Sequence, residues 1–207
     1  MTTDTTHGLE PASGWVQRWS HLIKPQGVVL DVACGRGRHA RWFYDLKHAL
    51  ALVDISQDAI DSIARTIPIP SHRYEAVVAD IENGPWPFAG RQFDAVVVTN
   101  YLWRALMPTF MASLAPGGVL IYETFAQGNG TVGKPSRPDF LLHTGELLQV
   151  CSSLRIVAFE EGFHAGPDGE SPRFVQRITA VRESSDTLGL SESQNTQTAP
   201  VPRYRLP

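Results

Sequence analysis

The residues best equipped for chemistry in this chain stand where apolar runs end. Val28-Val29-Leu30 leads into Asp31-Val32-Ala33-Cys34-Gly35-Arg36-Gly37, and Arg38-His39-Ala40 then opens a helical pattern. Glycine at 35 and 37 lets the backbone approach a bound molecule with no Cβ in the way. Asp54 lies 17 residues beyond Gly37, at the end of a second apolar run. A carboxylate there can accept hydrogen bonds from both hydroxyls of a ribose, and charged acceptors make the stronger bonds. Asp80 and Asn100 close two further runs. Dinucleotide-binding proteins use the same glycine turn, so the turn alone leaves a nicotinamide site open. Such a site uses Gly-x-Gly-x-x-Gly, however, and the third position here is Ala40.

These residues need a scaffold that brings strand ends to one rim. Trp15, Trp19 and Leu22 form an apolar stripe at helical spacing, and a core role is expected for both tryptophans. Strands are expected at 28–32, 48–55, 74–79, 93–99 and 119–124. The fourth is apolar nearly throughout, as a strand covered on both faces should be. Ser56 is a plausible N-cap for a helix carrying Ile60, Ile63, Ala64 and Ile67, which Pro68 stops. A second helix is expected from Leu102 to Leu114, with a kink at Pro108, and a short one near 145–151. Strands alternating with helices predict a parallel sheet covered on both sides. Residues 126–143 are rich in Gly, Pro and Asn and too long for an idle connection, so they are a candidate substrate loop. Arg155–Phe163 and Arg173–Arg182 read as an antiparallel hairpin.

The ordered series Asp31, Gly35, Gly37, Asp54, Asp80, Asn100, with the turn Leu114-Ala115-Pro116-Gly117-Gly118-Val119-Leu120, resembles the class I S-adenosylmethionine-dependent methyltransferases over roughly residues 15–125. The resemblance implies a doubly wound α/β fold: a seven-stranded, mostly parallel, Rossmann-like sheet in the order 3-2-1-4-5-7-6. It implies S-adenosyl-L-methionine as cofactor, with contacts from Asp31, Ala33, Gly35, Gly37, Asp54, Ile55, Asp80, Ile81 and Asn100. Asp31 would meet the cofactor's ammonium, Asp54 its ribose, and Asp80 with the Ile81 backbone its adenine. A narrower resemblance, to bacterial methyltransferases of the tellurite-resistance type, rests on Thr99 to Arg104, Tyr122 to Asn129, Gly133 to Leu142 and the closing hairpin.

Methyl transfer from a positive sulfur is driven largely by alignment and exclusion of water, so no catalytic side chain is obligatory. Tyr101, Glu123, His164 and Arg173 are weak candidates, with His143 beside them in the loop. The tellurite-type resemblance implies an anionic acceptor on Arg173, with an ordinary surface residue as the alternative, and Glu123 is read either as an anchor for its neighbours or as a structural hydrogen-bond acceptor. No Asp/Asn-Pro-Pro-Tyr motif follows the fourth strand, and neither cysteine follows a proline, so base amino and cytosine C5 methylation are disfavoured. A small acceptor, anionic or a soft nucleophile, is expected. A tRNA or protein methyltransferase, a Rossmann oxidoreductase and a non-catalytic binding module stay open as alternatives.

Composition supports this. The 207 residues are 43% hydrophobic with a net charge of −3, and no Lys/Arg run provides a nucleic-acid face. Cys34 and Cys151 are the only cysteines, too few for a Cys-rich zinc site, and no His pair has metal-ligand spacing. No apolar run approaches the roughly 18 residues of a membrane span. A cytoplasmic, reducing compartment is expected, with a monomer or homodimer and neither membrane nor metal as partner. The domain is expected over 13–183, between a loose N-terminus (1–12) and a disordered tail (184–207) poor in apolar residues.

Overall fold

The computed structural model describes residues 10–68, 70–166, 171–184 and 203–207. Seven strands form one sheet in the order β3-β2-β1-β4-β5-β7-β6. They are β1 (Val28–Val32), β2 (Ala49–Asp54), β3 (Tyr74–Val78), β4 (Phe93–Thr99), β5 (Leu114–Phe125), β6 (Arg155–His164) and β7 (Arg173–Val181). The pairs β3-β2, β2-β1, β1-β4 and β4-β5 are parallel, whereas β7 runs antiparallel to both β5 and β6. This is the expected topology.

Alternation along the strands divides the interior into two cores. Val29, Val97, Ile121 and Val181 face one, filled by Trp15 and Trp19 of α1 (Gly14–Trp19), Phe43 of α2 (Arg38–Asp45) and Ile63 of α3 (Gln57–Thr66). Leu30, Val96, Leu120 and Ile178 face the other, with Phe110 of α4 (Met107–Ala112) and Leu147 of α5 (Glu146–Val150). Both tryptophans are core residues. The Trp15 indole also donates to the Ile178 carbonyl, which ties α1 to the sheet. Ser56 caps α3 by accepting from the Ala59 amide, as expected.

Two expectations are corrected. The helix foreseen over 102–114 is a 3-10 turn (Arg104–Leu106) followed by α4, and Pro108 sits in the first turn of α4. There its missing N–H has no intrahelical acceptor to lose, so nothing is kinked. The fifth strand starts at Leu114, not Val119. The Pro116-Gly117-Gly118 turn stays in the ladder as a bulge, with the Gly117 amide bonded to the Arg182 carbonyl.

Of the expected loose N-terminus, residues 1–9 lie outside the described residues, and Ala12 is buried. Of the expected disordered tail, 185–202 lie outside them. Tyr204 packs against the α1-side core, and the Arg205 carbonyl meets the His21 ring at 2.9 Å. From β1 and β4, paired neighbours at the sheet's centre, the chain goes on toward opposite edges, to β2 and to β5. This switch point opens a crevice above their carboxyl ends.

Candidate functional site

The glycine turn after β1 is built from left-handed backbone: φ is 52° at Ala33, 53° at Gly35 and 83° at Gly37. The two glycines are needed for different reasons. A Cβ on Gly37 would stand 2.6 Å from Ile63 Cγ1, so α3 can pack there only against a bare backbone. A Cβ on Gly35 would meet nothing within 4 Å and would project into open space, where a ligand could lie against the main chain. Asp54 at the end of β2 holds the turn: its Oδ2 accepts from the Gly35 amide at 2.8 Å and its Oδ1 from the Ser56 amide at 2.9 Å. Each carboxylate oxygen keeps further lone-pair capacity for hydroxyl donors. Beside it Ile55 is 68% exposed, an apolar side chain left on the rim where a flat ring could cover it.

Asp31 is the most unusual group in the molecule. It is 1% exposed, and neither carboxylate oxygen has a hydrogen-bond partner. Burial pushes its pKa up to about 7, with nearby Arg38 opposing the rise and Asp54 adding to it. A buried ionised carboxylate without a partner costs several kcal/mol, so such a group points to a missing cation.

The wall beyond Asp31 joins the expected Asn100 and Tyr101 to four residues that periodicity alone did not single out, Glu10, Arg38, His39 and Thr99. Glu10, Arg38, His39, Thr99, Asn100 and Tyr101 close a cavity of about 350 Å³ with the glycine turn. His39, buried on the inward face of α2 four residues before Phe43, accepts from the Ser13 amide through Nε2 at 3.3 Å. Its Nδ1 stands 3.4 Å from Thr99 Oγ1 and carries the proton of the neutral ring. Burial, reinforced by Arg38, lowers its pKa to about 3, so it stays neutral at physiological pH. Arg38 lies 3.9 Å from Glu10. The signal that could have found both was their place in the first turn after the glycines.

Asp80 serves its own turn. Its Oδ1 accepts from the Glu82 and Asn83 amides and its Oδ2 from the Asn83 side chain, bonds that lower its pKa. It thereby fixes the backbone of Ile81, which is buried. Asn100, exposed with φ 54°, donates its amide to the Glu123 carbonyl and so pins the exit of β4. The Tyr101 phenol is pushed well above its ordinary range by burial and by the Glu82 and Asp80 carboxylates, which makes it a donor and not a base.

The remaining candidates separate. Glu123 is buried and engaged by Arg177 Nε at 2.5 Å, so it is an anchor within the sheet. His143 accepts from the Gln127 side chain at 2.8 Å in the loop 126–143. That loop is tied down by Arg104, which donates to both Glu146 oxygens and to the Asp139 and Leu141 carbonyls. His164 and Arg173 come together on another cavity, of about 260 Å³, between α1 and the β6–β7 hairpin. A roomier cavity of about 630 Å³ lies at the opposite end of the strands, by Met111, Arg155 and Glu183, away from every candidate residue.

Residues 29–118 match the family described as a methyltransferase domain. No curated protein matches the sequence. Among solved structures, TehB from Haemophilus influenzae aligns with a TM-score of 0.67 at 19% identity, covering 84% of this chain and 63% of that one. This chain therefore spans less than two thirds of TehB. A SAM-dependent methyltransferase from Methanosarcina mazei aligns with a TM-score of 0.63 at 14% identity, covering 84% and 99% of the two chains. The glycopeptide N-methyltransferase MtfA, complexed with S-adenosyl-L-homocysteine, aligns with a TM-score of 0.57 at 17% identity, covering 83% and 90%. These likenesses establish the shared fold.

Proposed function

We propose that this chain belongs to the class I S-adenosylmethionine-dependent methyltransferase superfamily and moves the methyl group of that cofactor to a small acceptor that is anionic or a soft nucleophile. The observation that carries the cofactor site is Asp31, whose buried, partnerless carboxylate suits the ammonium of the methionine moiety. The backbone at Ala33, Gly35 and Gly37 would lie against the same moiety, and Arg38 is placed to meet its carboxylate. Asp54 would take the ribose hydroxyls, while Ile55, Ile81 and the turn held by Asp80 would frame the adenine. Asn100 and Tyr101 would close the crevice beside the reacting carbon.

The bound cofactor supplies a methyl carbon already activated by positive sulfur. The chain's part is then to align, to desolvate and to exclude competing water. None of the weak candidates is needed as a base. Tyr101 keeps its proton, Glu123 is held by Arg177, and His39 is kept neutral by burial and by Arg38. A small acceptor is favoured over RNA because, among the described residues, the rim carries no basic stripe interleaved with stacking aromatics. Among the described residues no helix is long and apolar enough to cross a membrane. Cys34 and Cys151 are both free thiols, which supports a reducing compartment such as the cytoplasm.

Isothermal titration with S-adenosylhomocysteine tests the cofactor site, and release of that product over a panel of small acceptors tests the reaction. Methylation of bulk tRNA that strengthens steeply at low salt, with no small acceptor active, would overturn the acceptor class.

A further inference from the structure

We infer that the groove between α4 and α5, continued to the foot of β6, docks an acidic amphipathic helix of another protein. The inference is independent of the methyltransferase reading. The groove exists because the helix layer on this face is short for its sheet. α4 has six residues and α5 five, whereas β5 has 12 and β6 ten. One cavity, of about 520 Å³, is floored by Met107, Pro108, Met111 and Val150 and closed at one end by Arg104 and Glu146. The cavity of about 630 Å³ at the foot of the strands continues it past Met111 and Ser153, which both cavities share, to Leu154, Ile156 and Arg182. Arg104 also donates to the Asp139 and Leu141 carbonyls, so a partner seated at this end lies against the anchor of the loop 126–143.

The floor selects a helix. α4 and α5 bond their own backbones, so the groove offers side chains and no open ladder to an extended peptide. A helix satisfies its backbone internally and can lay an apolar stripe on that floor. Arg104 to Met111 is about two turns of chain, roughly 10 Å, and the second cavity lengthens the seat beyond it. Met107 and Met111, four residues apart on one face of α4, are unbranched and polarisable and adapt to an inserted side chain.

The charges select the partner's sign. Arg104 and Arg155 are 37% and 51% exposed, while the carboxylates they bind, Glu146 and Glu183, are 13% and 9% exposed. Each ion pair therefore turns its guanidinium outward and its carboxylate inward. Arg182, bonded to the Leu114 carbonyl through Nη1, adds a third guanidinium to the wall. Three cations and two shielded carboxylates around an apolar floor complement an apolar stripe flanked by acids. A second copy of this face would set guanidiniums against guanidiniums. Among the described residues the one large apolar side chain exposed on an α-helix is Leu148 of α5 itself, so the fitting helix belongs to a different protein.

The test reads the groove through its own methionines. The chain holds three, Met1, Met107 and Met111, so two of the three methyl signals in the NMR spectrum of the methionine-labelled full chain report on the groove. The probe is a synthetic alanine-based helix of about four turns with leucines at i, i+4 and i+7 and glutamates beside them. It should shift the Met107 and Met111 signals saturably and leave Met1 in place. The same helix with lysine for glutamate should bind at least about ten-fold more weakly. A112E and S153E, at exposed positions on the wall, should each weaken the glutamate helix about ten-fold and leave S-adenosylhomocysteine affinity unchanged. No shift, equal binding of the two helices, or equal binding of a glutamate helix without leucines would overturn the inference. The same shifts arising in the free chain with rising concentration would overturn it in favour of a second copy. A displacement of both signals in L188S/L190S would overturn it in favour of the chain's own residues 185–202.

Discussion

Replacing Asp31 with Asn should stabilise the protein while crippling its cofactor site. Burial raises the Asp31 pKa from 3.8 to about 7, so at pH 8 the fold holds an ionised carboxylate at a cost of roughly 4 kcal/mol. The amide removes that charge but leaves its own polar atoms unpaired, which returns about 1–3 kcal/mol of penalty. D31N should therefore be more stable than wild type by about 1–3 kcal/mol at pH 8. The sign follows from proton binding. Between pH 3.8 and 7 the folded state holds a proton on Asp31 that the unfolded chain has released, so this group makes stability fall as pH rises. Below pH 4 both states are protonated, and the variant loses its advantage. His39 works in the opposite direction. Its pKa is depressed to about 3, so its contribution is present above pH 6.5 and is lost as pH falls toward 3. In wild type the two slopes offset each other between about pH 4 and 6.5. In D31N the His39 slope, about 1.4 kcal/mol per pH unit, should stand alone. Urea denaturation of the ligand-free protein across pH measures all of this, and titration with S-adenosylhomocysteine should show affinity falling about 100-fold. A D31N protein less stable than wild type at pH 8, or binding as tightly, would refute the reasoning.

Asp54→Ala removes the acceptor for the Gly35 and Ser56 amides as well as the proposed ribose ligand. Calorimetry should show S-adenosylhomocysteine affinity down about 100-fold, and unchanged affinity would sink the assignment. Arg104→Ala should cost about 2 kcal/mol in chemical denaturation and open the loop 126–143 to limited proteolysis, because that side chain bonds Glu146 and two loop carbonyls. A loop equally resistant in the variant would show that the remaining bonds suffice. Removing residues 203–207 should lower Tm by about 2–4 °C, as Tyr204 leaves the α1-side core and His21 loses the Arg205 carbonyl. An unchanged melting curve would mean that this contact contributes nothing in solution.

The strand ends were legible because each depends on local signals, whereas the sheet order came from the family resemblance alone. Apolar runs, a glycine turn and acidic residues at their exits can be read without knowing what packs across space. The Pro116-Gly117-Gly118 bulge was not legible, because turn composition does not reveal that the Arg182 backbone keeps the ladder alive. Pro108 misled because a helix start placed five residues too early turns a first-turn proline into a kink. In the site, Asp31 and Asp54 announced themselves by position, but not that one is stranded and the other already bonded to the turn. His39 and Arg177 went unseen because their partners, Ser13 and Glu123, lie 26 and 54 residues away and only the fold joins them. His164 and Arg173 were chosen from their place at the turn of the closing hairpin near the rim, Arg173 also from the tellurite-type resemblance. Their shared cavity depends on α1, which no local pattern connects to the hairpin.

The most direct test of the central claim is a crystal structure with S-adenosylhomocysteine bound. The account predicts its ammonium within hydrogen-bonding distance of the Asp31 carboxylate, its ribose hydroxyls on Asp54, and its sulfur facing Asn100 and Tyr101. A ligand bound elsewhere, with Asp31 still partnerless, would contradict it.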